Sequence, residues 1–195
     1  MARQAEITRV TRETEVRASL ELDGSGLSDI DTGVPFFDHM LTHVALHGLF
    51  DLTVHARGDV EVDDHHTVED VGIVLGQALA QALGDKVGLT RYGSQLLPMD
   101  EALALVALDF SGRAVLAYDV ALPAAKVGTF DTELVREFLR ALTQHAGLTL
   151  HVRVLAGVNT HHLIEAIFKA LGRALGQAVT LDERRAEVPS TKGVL

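Results

Sequence analysis

The sequence predicts an α+β fold built from two duplicated half-domains, each a sheet with both of its helices packed on one face. Three observations carry that prediction. Residues 64–83 read DHHTVEDVGIVLGQALAQAL and residues 160–179 read THHLIEAIFKALGRALGQAV, one stretch spelled twice. A shift of 96 superposes His65 on His161, His66 on His162 and Glu69 on Glu165. Leu75, Gly76, Ala78, Leu79, Gln81 and Ala82 then fall on identical partners. Upstream, LDGSG at 22–26 matches LDFSG at 108–112, and LTVHARGD matches LTLHVRVL. Finally, both halves run through strands, helix, strand, helix in the same order.

Taken in order, residues 4–22 alternate polar and apolar and read as strands, with DGSG at 23–26 as a turn. A helix is expected from Phe36 to His47, stopped by Gly48. Asp51 to Val62 reads as a strand leading into the first HHxxE helix, which Asp64 caps and which ends near Gly84. Residues 85–95 are a connection, and the half-domains divide as 1–92 and 93–195. In the second half, Ala102–Ser111 and Arg113–Val120 read as strands, Asp131–His145 as a helix and Leu148–Leu155 as a strand. The second HHxxE helix follows, capped by Thr160, and the polar tail from Asp182 onward is a loop.

Composition narrows the function classes. The 195 residues are 47% hydrophobic and 23% charged, with four prolines, enough chain for a substantial core. A net charge of -10 leaves no basic footprint for nucleic acid. No apolar run approaches the ~20 residues that a membrane span requires, and the N-terminus is no signal peptide. The absence of cysteine removes disulfides and fits a cytoplasmic protein. Ten histidines, most of them clustered around the repeats, are the compositional oddity.

Helix geometry turns the repeat into chemistry. His65 and Glu69 are four apart and share a face, so they can reach a common ion. His66 points about 100° away and is free for a second ion. His161, Glu165 and His162 repeat the arrangement. A lone HHxxE is a weak signal that most often means a polar helix start; its duplication in register, with every polar group kept, points to two metal sites related by a pseudo-twofold axis. Imidazole and carboxylate without thiolate suit Mn, Fe, Co, Ni or Zn. His39, His43 and His47 line one face of the earlier helix and could be no more than a polar stripe, but one of them could complete a shell. Glu137 stands at the place corresponding to His39. Arg91, Arg113, Lys169, Ser190 and Lys192 are candidates for an anionic substrate group.

At DHHTVED, THHLIEA, PFFDHML, HGLFD and PSTKGVL the chain resembles imidazoleglycerol-phosphate dehydratases of histidine biosynthesis, from about residue 4 to its end. The resemblance implies half-domains of four strands and two helices, like ribosomal protein S5 domain 2. It also implies a homo-oligomer of 24 subunits and two Mn2+ ions per active site built between subunits. It places His39, His66, His161 and Glu165 on one ion, and His65, Glu69 and His162 on the other. Glu137 stands where many members have histidine. The five cationic and hydroxyl candidates match phosphate-binding positions, and Glu13 matches a glutamate implicated in proton transfer. The implied reaction eliminates water from imidazole glycerol phosphate to give imidazole acetol phosphate through a metal-bound imidazolate. No fused phosphatase is expected. A di-metal phosphoester hydrolase and a non-enzymatic, metal-organised assembly protein are the competing readings.

Overall fold

The computed structural model describes residues 3–195; the start of the first half at residues 1 and 2 lies outside them. Strands β1 (Gln4–Val10), β2 (Thr14–Glu21), β3 (Ser28–Asp31) and β4 (Asp51–Gly58) form one sheet in the order β1-β2-β4-β3. Strands β5 (Tyr92–Met99), β6 (Ala102–Asp109), β7 (Val115–Asp119) and β10 (Thr149–Ala156) form a second in the order β5-β6-β10-β7. Each sheet is antiparallel except for its last strand, which pairs parallel with β4 or β10. A small ribbon, β8 (Lys126–Val127) with β9 (Phe130–Asp131), decorates the second half. The helices are α1 (Pro35–Gly48), α2 (His65–Leu83), α3 (Leu134–Ala146) and α4 (Thr160–Val179). Among the described residues, no helix is long and apolar enough to cross a membrane.

The duplicated α+β architecture is thus present, with two four-stranded sheets. Period-two alternation explains how the helices lie on one face. Val16, Ala18 and Leu20 of β2 and Leu52, Val54 and Ala56 of β4 point inward and are buried, while Glu15, Arg17, Thr53 and Arg57 point out. In the second sheet, Ala104, Val106, Leu150 and Val152 do the same. The helices pair across the halves, α1 with α4 and α2 with α3, so one continuous core unites both halves. Phe37 and Phe138, on the two equivalent helices, meet edge to face with centroids 5.1 Å apart.

Several boundaries differ from the sequence reading, each for a physical reason. The first helix is stopped by Leu49, not Gly48: Leu49 takes the left-handed conformation at φ 59° and donates its N–H to Ala45 O. Gly48 lies inside the helix and is glycine for space, since a Cβ there would meet the Phe50 ring at 2.4 Å. Asp64 makes no cap bond, and Asp63 accepts the His65 N–H at 2.8 Å instead. In the second repeat Asn159 is the cap, accepting from His161 and His162, while Thr160 Oγ1 accepts from Ala124 N. The strand from Asp51 ends at Gly58 rather than Val62.

The supposed connection at 85–95 already contains the start of β5, an edge strand hidden by Gly93 and Pro98. That glycine is required, since a Cβ would lie 1.9 Å from Ala174 O. Strand β3 went unread because SDID offers a single apolar side chain, Ile30, which is only half-buried against the core.

The duplication also shifts. The sequence matches align Leu22 with Leu108 and Leu52 with Leu148. In the sheets, Leu20 pairs with Leu52 and Leu108 pairs with Leu150, at matching places in the eight-residue strands β2 and β6. The true correspondence is therefore two residues away, a slip that leaves every inward residue inward.

Candidate metal centre

Two groups of ligand atoms form where the helices pair. At the α1–α4 pair, His39 and His43 face His161 and Glu165. His39 Nε2 lies 3.2 Å from His43 Nε2 and 3.5 Å from Glu165 Oε2, and His161 Nε2 lies 3.0 Å from the same carboxylate oxygen. At the α2–α3 pair, His65, Glu69 and Glu137 bring one ligand atom each within 4.8 Å of one another. Counted back from the left-handed residues that end α1 and α3, Leu49 and Gly147, Glu137 occupies the place of His39. The two groups are thus the same construction made twice, apart from His43, whose counterpart on α3 is Ala141.

Electrostatics fit a cation at both. Burial alone would raise the Glu165 carboxyl. Hydrogen bonds from Lys169 and His161 outweigh it and hold the group at about 2, fully ionised. Burial pushes His43 down to about 4, so it is a neutral donor of a lone pair, and its Nδ1 is buried with no hydrogen-bond partner among the described residues. In the other group Arg140 spans the carboxylates, with Nη2 2.6 Å from Glu69 Oε1 and Nε 2.9 Å from Glu137 Oε2. A converging set of imidazole nitrogens and carboxylate oxygens, with cationic side chains already attracted to it, suits a divalent ion of the borderline class.

His66 and His162 join neither group within one chain. His66 Nδ1 lies 3.0 Å from Asp59 Oδ2 and 3.9 Å from Glu13 Oε2. His162 Nδ1 lies 2.7 Å from Glu101 Oε2. Those hydrogen bonds raise both histidines above their ordinary range. The helix turn separates these rings from their neighbours, as the 3.6-residue period requires.

Glu13 sits in the tight turn between β1 and β2. Thr11 Oγ1 accepts the N–H groups of Glu13 and Thr14, and Thr14 and Arg9 anchor that turn to the buried Asp70 of α2. Among the described residues, no hydrogen bond reaches the Glu13 carboxylate.

Arg91, Arg113, Ser190 and Lys192 line one pocket of about 770 Å³, together with Arg185 from the tail. Arg91, in the left-handed conformation at φ 76°, is fixed by Asp109 and by Pro189 O. Lys169 lies elsewhere, bonded to Glu165 and 3.6 Å from Met99 Sδ. Sequence reasoning passed over Asp59, Glu101, Arg140 and Arg185, none of which has an identical partner in the other repeat's motifs. It treated His43 as one of a stripe, although the i, i+4 spacing with His39 was visible.

Fold and site together define the class: a duplicated α+β protein whose two HHxxE helix starts each join a neighbouring helix in a metal-ligand group, with a cationic pocket beside the tail. The imidazoleglycerol-phosphate dehydratase family model matches residues 32–175. The imidazoleglycerol-phosphate dehydratase of Moorella thermoacetica is 63% identical over 100% of both chains. That of Desulforamulus reducens is 63% identical over 99% of this chain and 98% of its own. The crystal structure of the Staphylococcus aureus dehydratase superposes with a TM-score of 0.84 at 46% identity, covering 92% of this chain and 99% of the other. The Pyrococcus furiosus enzyme, in complex with (S)-C348, gives 0.85 at 38% identity, over 97% and 100%. The chain belongs to the imidazoleglycerol-phosphate dehydratase family, and with it to the hydro-lyases.

Proposed function

We propose that the protein removes water from imidazole glycerol phosphate to give imidazole acetol phosphate, using two Mn2+ ions per active site. The observation that carries this reading is the pair of His/Glu groups, each built from two helices and each without the second histidine of either HHxxE motif. His39, His161 and Glu165, with His66, would hold one ion; His65, Glu69 and Glu137, with His162, the other. When bound, the ions supply Lewis acidity to the imidazole ring and a template for its hydroxyl groups.

The chain's own residues do the rest. The pocket of Arg91, Arg113, Arg185, Ser190 and Lys192 offers the phosphate a cradle of cations and a hydroxyl. Lys169, at the edge of the α1–α4 group, would serve the substrate beside the ion rather than from that pocket. Glu13, whose carboxylate takes no hydrogen bond among the described residues and lies close to His66, would take the proton from the carbon that becomes the enol. The hydroxyl next to the ring leaves as water, and the enol tautomerises to the ketone.

Within one chain neither metal group contains His66 or His162, and the pocket residues lie in neither group. Self-association would unite these parts. The outer face of the second sheet supports it, presenting Leu96 and Leu155 about half exposed where the first sheet presents Glu15, Arg17 and Arg57. A 24-subunit particle in the cytoplasm is the assembly proposed.

Metal-stripped protein given imidazole glycerol phosphate should form no ketone until Mn2+ is added, and should release no phosphate at any stage. Phosphate release would favour a di-metal hydrolase; bound metal without turnover would favour an assembly protein. Glu13→Gln should lower kcat about 100-fold while Mn2+ content stays intact, the usual size of a general-base contribution. Near-full turnover in that variant would remove Glu13 from the role.

A further inference from the structure

We infer that Asp59 and Glu101 are positioning residues that fix the ring tautomer of His66 and His162 and so aim a bare Nε2 at a metal ion. The inference rests on the metal reading above and adds two residues that no part of the HHxxE pattern contains. A neutral imidazole carries one proton; whichever nitrogen donates to a carboxylate leaves the other with a free lone pair. Glu101 Oε2 stands 2.7 Å from His162 Nδ1, and Asp59 stands 3.0 Å from His66 Nδ1 through Oδ2. Both rings therefore keep the proton on Nδ1. Among the described residues, His162 Nε2 makes no hydrogen bond, its partner Asp100 standing off at 3.7 Å, and it is left to a metal.

The arrangement occurs twice with different parts, which argues against a chance contact. Glu101 immediately precedes β6, as Glu13 immediately precedes β2, so the two glutamates are equivalent in the corrected register of the halves. In the second half the glutamate is fully committed. Its Oε1 accepts the backbone N–H of Asn159 at 2.8 Å and of Val158 at 3.3 Å, which anchors it against the first turn of α4. In the first half, Asp59 from the loop after β4 makes the bond to histidine instead. Glu13 stands off at 3.9 Å with its carboxylate unbound. Handing the orienting task to Asp59 is what leaves Glu13 free for proton transfer.

Carboxylates that orient metal-bound histidines typically contribute 10–100-fold to metal affinity. The test is titration of the metal-free full-length assembly with Mn2+ alone, reading free Mn2+ by its EPR signal, alongside thermal unfolding without metal. The wild type should bind two ions per chain. Glu101→Ala should weaken one of them about 10–100-fold and leave the other unchanged, Asp59→Ala should weaken only the other, and Glu101→Gln should recover part of the loss. Glu101→Ala binding both ions within twofold of the wild type would overturn the inference. So would a uniform weakening of both sites that tracks a lower unfolding temperature, the mark of a damaged helix start. If His162→Ala loses an ion that Glu101→Ala retains, the metal reading stands and only the positioning role fails. Wild type that binds no Mn2+ would overturn both.

Discussion

Glu165→Gln is expected to abolish measurable turnover and to remove one of the two metal ions. The residue is 6% exposed, and His39, His43, His161 and Lys169 all converge on its carboxylate. Glutamine keeps the volume and loses the charge. The ion then faces three neutral imidazoles and the Lys169 ammonium, a repulsive neighbour no longer balanced. Lewis-acid stabilisation of several kcal/mol disappears with the ion, and at 1.36 kcal/mol per tenfold this amounts to roughly 1,000-fold or more in kcat. Metal content per chain and turnover should fall together. Turnover above a tenth of wild type, with one ion missing, would show that the α1–α4 group is not part of the chemistry.

The pH behaviour has a definite sign. Because Glu165 is held at about 2 in the fold, the stability it confers is present above the ordinary carboxylate range and is lost as pH falls toward 2. With the two ions proposed above, loss of metal is expected at higher pH, through the histidines. Hydrogen bonds that His66 and His162 donate to Asp59 and Glu101 raise both histidines, so protons compete with the ion earlier on acidification than at an isolated histidine.

What could be read in advance follows from which features are local. A helix start written twice in register exposed the duplication, and the 3.6-residue period separated His65 from His66 without any structure. Two edge strands, β3 and β5, escaped because their inward faces are weakly apolar: SDID offers only Ile30 between two aspartates, and the inward face of YGSQLLPM begins with Gly93, set by the backbone of α4, and Gln95. Glu101 and Arg140 escaped for another reason: each acts on a motif residue from a distant part of the chain, Glu101 on His162 across 61 positions and Arg140 on Glu69 across 71. Asp59 is near His66 in sequence but sits in the loop after β4, outside the helix that carries the motif. Only the strand register brings Glu101 into line with Glu13, and the sequence matches were two residues away from that register.

Gly172→Ala and Gly76→Ala are expected to destabilise the protein by roughly 1–3 kcal/mol each, against the usual trend for helices. In an exposed helix interior, alanine is better than glycine by about 1 kcal/mol. Here the two glycines sit where helices touch backbone to backbone. A Cβ on Gly172 would lie 2.7 Å from Val44 O of α1, and one on Gly76 would lie 2.8 Å from Leu142 O of α3. Gly72 and Gly176 crowd the same two crossings, at 2.8 Å from Phe138 O and 2.7 Å from Gly48 O. Backbone carbonyls inside a helix cannot step aside singly, so the whole crossing must open. The consequence reaches the ligands, because α1 carries His39 and α4 carries His161 and Glu165, while α2 carries His65 and Glu69 and α3 carries Glu137. A 2 kcal/mol loss should lower the unfolding midpoint by roughly 4–8 °C for a chain of this size. Each variant should also weaken Mn2+ at its own crossing and spare the other. Unfolding midpoints that rise, as helix propensity alone would dictate, would mean that the helices are not in backbone contact. Spared metal binding with a lowered midpoint would separate the packing from the site.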